Sequence, residues 1–145
     1  GNAVAWLDLL RLSLLTSNTI YADCAAKLSR AFSASVQQTP EAHAFMLCGV
    51  EFMVGPSYIL VLVGDPQKKD TKHMIETLRR NFLPNVAILF KPLGGNVPDL
   101  RQVSPWISGY EEIDGKATAY VCRNQVCLVP TNDAAKMLEQ LKLSS

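Results

Sequence analysis

The chain has 145 residues, 48% hydrophobic and 19% charged, which is material for one good core or two small ones. Fourteen Lys and Arg against thirteen Asp and Glu leave a formal charge of +1, so nothing steers nucleic acid or an anionic membrane toward it. The longest unbroken apolar run, Tyr58–Val63, falls far short of the ~20 residues that span a bilayer.

Asn2 to Thr16 is almost continuous Ala, Val, Trp and Leu, with polar breaks at Asp8, Arg11 and Ser13. Ala, Leu and Arg favour helix. Trp6, Leu7, Leu9, Leu10, Leu12, Leu14 and Leu15 cover most of the circumference, the pattern of a helix buried on several sides. Two following helices are too few to bury it, so a truncated helical domain is expected. The opening GNAVAWLDLL has no basic flank and carries Asp8, unlike a signal peptide. Four cysteines without a secretion signal are expected as free thiols in a reducing compartment, hence a cytoplasmic location.

Helix two is expected from Asn18 to Gln37, with Tyr21, Cys24, Ala25, Leu28, Phe32 and Val36 as its stripe. The short turn before it makes helices one and two antiparallel neighbours. Helix three should take Thr39 as N-cap and Pro40 as its first residue, run through Phe45, Met46, Val50 and Met53, and end at Gly55-Pro56. His43, without a second ligand at matching spacing, reads as an ordinary helix histidine.

After Pro56 the period changes. Tyr58–Val63 is rich in β-branched residues and reads as a strand buried on both faces. Asp65 as cap and Pro66 as first residue then open a helix whose stripe is Thr71, Met74, Ile75, Leu78 and Phe82, with Lys68, Lys69, Lys72, Arg79 and Arg80 in water. Pro84 stops it, and Val86–Phe90 completes a right-handed βαβ unit with parallel strands. The Gly94-Gly95-Asn96 loop leads to a weak helix over Asp99–Ile107, broken by Pro105. Ala117–Cys122 and Val126–Val129 form a hairpin around Asn124-Gln125, and a helix from Thr131 presents Ala134, Met137, Leu138 and Leu141. The order β-α-β-α-β-β-α is that of a thioredoxin-like core, favoured over a doubly wound fragment by its antiparallel hairpin.

A working thioredoxin site places two cysteines at the start of the first helix, where the dipole lowers the thiol pKa. That position reads Gly64-Asp65-Pro66-Gln67-Lys68-Lys69 and holds no cysteine. The only close pair is Cys122 and Cys127, which a two-residue loop makes direct, non-hydrogen-bonded partners about 4.5 Å apart at Cα. In a reducing compartment two free thiols are favoured, with a reversible cross-strand disulfide as the alternative. The C-x4-C spacing of this pair is not a zinc signature, and Cys24 and Cys48 lie on helices without ligand partners. Gly64 and Asp65 sit where open α/β folds bind ligands, with Lys68 and Lys69 beside them, but capping is the favoured role and no phosphate-binding glycine motif is present. Gly94-Gly95 reads as a loop, and Glu111 and Glu112 as a solvated turn. No catalytic residue, cofactor or metal site is assigned.

The segments GNAVAWLDLLRL, VGDPQKKDTK, FLPN and ATAYVCRNQVCLVPTNDAAKMLEQL resemble, over essentially the whole chain, the C-terminal region of the spermatogenesis-associated, YyaL-type thioredoxin-like family. The resemblance implies an α+β / α/β chain in two parts. Residues 1–55 would be the last helices of an α/α toroid of the N-acylglucosamine 2-epimerase kind, and residues 57–145 a thioredoxin-like domain. It also implies that Gly1 and Asn2 continue a P-S-G-N-type motif, with Asn2 near a sugar-like pocket whose catalytic residues lie upstream. The expected role is a non-catalytic structural or interaction module of a larger intracellular protein. Thiol–disulfide chemistry at Cys122 and Cys127, or a part in a sugar-epimerase-like or glycosidase-like enzyme, are the alternatives. The expected partners are the upstream domains of the same chain, or a second copy through helix one, and neither nucleic acid nor membrane.

Overall fold

The computed structural model describes residues 1–94, 100–124 and 126–142. Among the described residues the fold is mixed α+β, with six α-helices and a four-stranded mixed sheet, and the chain divides into two compact units, Gly1–Ser57 and Tyr58–Ser145. No described helix is long and apolar enough to cross a membrane.

In the first unit, α1 (Asn2–Thr16) ends at Ser17 in the left-handed conformation, φ 55°. Asn18 then caps α2 (Thr19–Gln38), its side chain accepting from the Ile20 N–H at 3.0 Å. Thr39 does not cap the next helix. Its hydroxyl donates back to the Ser35 carbonyl, and Pro40–His43 forms a 3₁₀ turn before α3 (Ala44–Val54). Met46, Gly49 and Phe52 are buried while Phe45 and Met53 are half-exposed. Gly49 sets that face: a Cβ there would lie 2.7 Å from the Trp6 ring, so the indole packs directly on helix backbone. Trp6, Ala25 and Met46 centre this small core, with Leu28, Phe32, Val36 and Val50 around them. Only Trp6, Leu7 and Thr16 of α1 are buried, and its remaining leucines stay partly exposed.

The second unit is built on β1 (Tyr58–Gly64), which pairs in parallel with β2 (Val86–Pro92) and antiparallel with β3 (Thr118–Arg123). The two-residue β4 (Val126–Cys127) completes the order β2-β1-β3-β4. Between β1 and β2 runs α4 (Lys69–Arg79), and α6 (Ala134–Lys142) closes the fold. Alternation along β1 feeds two cores. Tyr58, Leu60 and Leu62 pack with Met74 and Leu78 of α4, Ala119 and Val121 of β3, and Ala134, Met137 and Leu141 of α6. Val61 and Val63 face the other way, onto Ile107, Trp106, Tyr110 and Tyr120. β1 is thus buried on both faces, as its apolar run requires.

Several boundaries differ from the sequence reading. Asp65 does not cap α4. Its carboxylate accepts from the Gln67 N–H within a turn, and the helix begins four residues later. Phe82 falls outside the stripe and is 91% exposed, because α4 ends at Arg79 and the helical period lapses with it. The expected helix after the Gly loop is only α5 (Leu100–Val103), followed by a 3₁₀ turn, Pro105–Gly109. Gly95, Asn96, Asp99 and Gln125 lie outside the described residues. α6 starts at Ala134, since Asp133 Oδ1 accepts from the Ala135 and Lys136 N–H groups.

The last strand is shorter than expected, with a geometric cause. Cys122 faces Cys127, yet Ala119 faces Thr131, so the second strand carries one extra residue between these pairs. That is a β-bulge over Val129-Pro130. Pro130 has no N–H to give a ladder, and bulges accommodate it. The Val129 carbonyl is taken up instead by Gln140 Nε2 of α6, at 2.8 Å.

Candidate functional site

The hairpin β3–β4 brings Cys122 and Cys127 into direct opposition, with Leu128 N–H donating to the Val121 carbonyl on one side. This makes them a non-hydrogen-bonded pair, the closer of the two antiparallel pair types. Their Cα atoms are 3.8 Å apart and the sulfurs are bonded. A disulfide therefore stands where two free thiols were the favoured expectation. Asn124 provides the positive φ, 50°, with which the turn begins.

The two sulfurs differ in surroundings. Cys122 is 4% exposed, on the sheet face shared with Tyr120, whereas Cys127 is exposed on the edge strand. Beside them stands Tyr110, its hydroxyl 3.4 Å from Cys127 Sγ and 3.7 Å from Cys122 Sγ. Bridged sulfurs carry no proton, so the hydroxyl is the donor. Lys91 Nζ donates to the Tyr110 carbonyl at 2.6 Å and to the Ile107 carbonyl at 3.3 Å, pinning this segment to β2. The Tyr110 ring makes edge contacts with Trp106 and Tyr120, at 5.6 and 4.9 Å between centroids. Burial, and secondarily Tyr120, raises the Tyr110 pKa above the ordinary phenol value, so the hydroxyl stays protonated. The sequence reading missed Tyr110. It lies 12 and 17 residues from the two cysteines, and no local pattern joins them.

At the β1–α4 junction, Gly64 is buried against α4, where a Cβ would meet Thr71 Oγ1 at 2.5 Å and Ala117 Cβ at 3.1 Å. Asp65 is held in its own turn, and Lys68 Nζ donates to the Gly115 carbonyl at 3.0 Å with Glu112 at 3.7 Å. Lys69 is exposed. Asp70 accepts from the Ala117 and Thr71 N–H groups at 2.8 and 2.9 Å. The Ala117 bond does most to hold its carboxyl below the usual range, against burial, with Thr71 and Lys68 assisting. Asp65, Lys68 and Asp70 are thus each engaged by groups of this junction. Asn2 is exposed at the start of α1, in the other unit. Cys24 is half-buried and Cys48 exposed, neither bridged, and His43 Nε2 is 2.8 Å from Ser35 Oγ. Among the described residues, no group of three or more His, Cys, Asp or Glu is placed to hold a metal ion.

The amino-acid sequence of the chain has relatives among known proteins. The chain is homologous to spermatogenesis-associated protein 20. It is 30% identical over 141 residues to that protein from Homo sapiens, covering 97% of this chain and 18% of the human protein. The spermatogenesis-associated protein 20 of Rattus norvegicus is 29% identical and that of Mus musculus 28%, over the same 141 residues and the same shares. The match falls in the C-terminal part of spermatogenesis-associated protein 20, so the chain spans 18% of the length of these relatives. No family model matches the chain. No solved structure matches it.

Proposed function

We propose that the chain is a non-catalytic structural or interaction module of a longer cytoplasmic protein, in which residues 57–145 form a thioredoxin-like domain without the thioredoxin cysteines. The topology supports this: a β-α-β crossover, an antiparallel β3–β4 hairpin, the order β2-β1-β3-β4, and a final helix packed with α4 in the same core. One observation carries the non-catalytic part. Where a thioredoxin-type site would sit, the β1–α4 junction holds Asp65-Pro66-Gln67-Lys68, with the Asp65 carboxylate engaged in its own turn and the Lys68 ammonium by Gly115 and Glu112. Residues 1–55 would be the closing helices of an α/α toroid, a reading supported by the partly exposed apolar surface of α1. Reduction of insulin by dithiothreitol tests the proposal. The chain should not accelerate it at any concentration, and multiple turnovers that vanish in Cys122→Ser or Cys127→Ser would overturn it.

The second reading is redox chemistry at the hairpin, favoured by the formed bridge with one exposed cysteine and a hydroxyl beside both sulfurs. In a reducing compartment, protein disulfides are mostly transient, catalytic or sensing rather than permanent staples. On this reading the chain is the target of a thiol reductant, not a reductase. Thiol titration across a glutathione series decides it: a two-electron transition is expected, and a bridge in one state at every poise would remove the reading.

A further inference from the structure

We infer that the Cys122–Cys127 bridge is polarised: a dithiol reductant opens it at the Cys127 sulfur, and the Tyr110 hydroxyl holds the departing Cys122 thiolate. This rests on the redox reading above and adds a direction and a positioning group to it.

Accessibility selects the sulfur that is attacked. A thiolate approaches a disulfide along the S–S axis, and the choice of sulfur depends on access and on the leaving thiol. Cys127 lies exposed on a two-residue edge strand, flanked by exposed Val126 and Leu128. Cys122 is 4% exposed within the sheet, opposite Ile59 of β1, so an external thiolate meets Cys127 first.

The departing sulfur needs help for the same reason. A thiolate released at Cys122 forms in a buried place, where desolvation disfavours charge. The Tyr110 O–H lies within 3.7 Å of that sulfur, and its segment is pinned by Lys91. A hydrogen bond from this hydroxyl stabilises the anion as it forms and lowers the barrier to cleavage.

The step balances. The first thiolate of the dithiol bonds to Cys127 Sγ, the Cys122–Cys127 bond breaks, and its electron pair leaves on Cys122 Sγ. The second thiol of the reductant, deprotonated, then attacks its own sulfur in the mixed disulfide and releases the Cys127 thiolate. The reductant ends as a disulfide. The two cysteines end as thiols, having gained two electrons and, with the protons given up by the dithiol, two hydrogens.

Glutathione serves as a monothiol probe on the full chain, with trapping by acid and peptide mapping. The mixed disulfide should sit on Cys127 in at least tenfold excess over Cys122 in the folded chain, and on both about equally in urea. Tyr110→Phe keeps the ring and removes the donor. It should slow opening by dithiothreitol roughly 3- to 10-fold in the folded chain, the worth of one hydrogen bond, and leave the rate in urea unchanged. Glutathione on Cys122, or shared equally in the folded chain, overturns the inference while the redox reading stands. So does a Tyr110→Phe chain that opens at the parent rate. A bridge that no thiol opens in the folded chain overturns both.

Discussion

Gly64 and Asp70 show how tightly the start of α4 is fitted to the sheet. A methyl at Gly64 has no free space, because its nearest neighbours are the fully buried Thr71 and the backbone-anchored Ala117. Gly64→Ala should therefore destabilise the second unit by about 1–3 kcal/mol, the usual cost of overpacking, seen as a lower urea midpoint. Asp70 is an electrostatic contributor. Its folded-state pKa is depressed, so its stabilisation is fully present above the unfolded value of about 3.9 and is lost as pH falls through the folded one. Urea titrations of the parent chain and Asp70→Asn should differ at pH 7, and the gap should close as pH drops below about 4. Asp133 is depressed in the same direction by the Lys136 and Ala135 N–H groups, so only the difference between the two chains isolates Asp70. At the bridge, the cysteine pair was legible from a two-residue turn between alternating strands. Tyr110 was not, because only the fold of the 100–110 segment onto the sheet brings its hydroxyl to the sulfurs.

Among the elements, α4 and α6 carry the larger core and the edge hairpin carries little of it. Met137 of α6 is fully buried between β1, β3 and α4, so Met137→Ala should cost about 2–5 kcal/mol. Phe82 lies just beyond α4 and is 91% exposed, so Phe82→Ser should stay within about 0.5 kcal/mol of the parent. Paired denaturation curves separate the two, and a large loss at Phe82 would mean that the α4 stripe extends past Arg79 after all. Helix propensity found α1, and helix periodicity found α2, α4 and α6. It misplaced caps and ends, because Thr39, Asp65 and Asp133 each chose their partners among neighbouring N–H and carbonyl groups that the pattern does not rank. The buried face of α3, Met46, Gly49 and Phe52, was not legible either. A mid-helix glycine carries no hydrophobic signal, yet Gly49 is where Trp6 seats.

Across the whole molecule, each unit has its own core. The clusters around β1 are formed by residues of 58–145, and the cluster around Trp6 by residues of the first unit. Residues 58–145 expressed by themselves should then unfold in a single cooperative urea transition with the bridge intact, and a non-cooperative loss of signal would show that this core needs the helices. The sequence alone determined the change from helical stripes to an unbroken, β-branched apolar run after Pro56, the doubly buried β1, the absence of cysteines at the β1–α4 junction, and the facing of Cys122 and Cys127. All of these follow from local spacing, which side-chain period and turn length dictate. The tertiary structure decided the rest: the bulge over Val129-Pro130, the inequality of the two sulfurs, and the hydroxyl that serves them. Those depend on which distant segments cover each face of the sheet, and that is settled by packing between residues far apart in the chain.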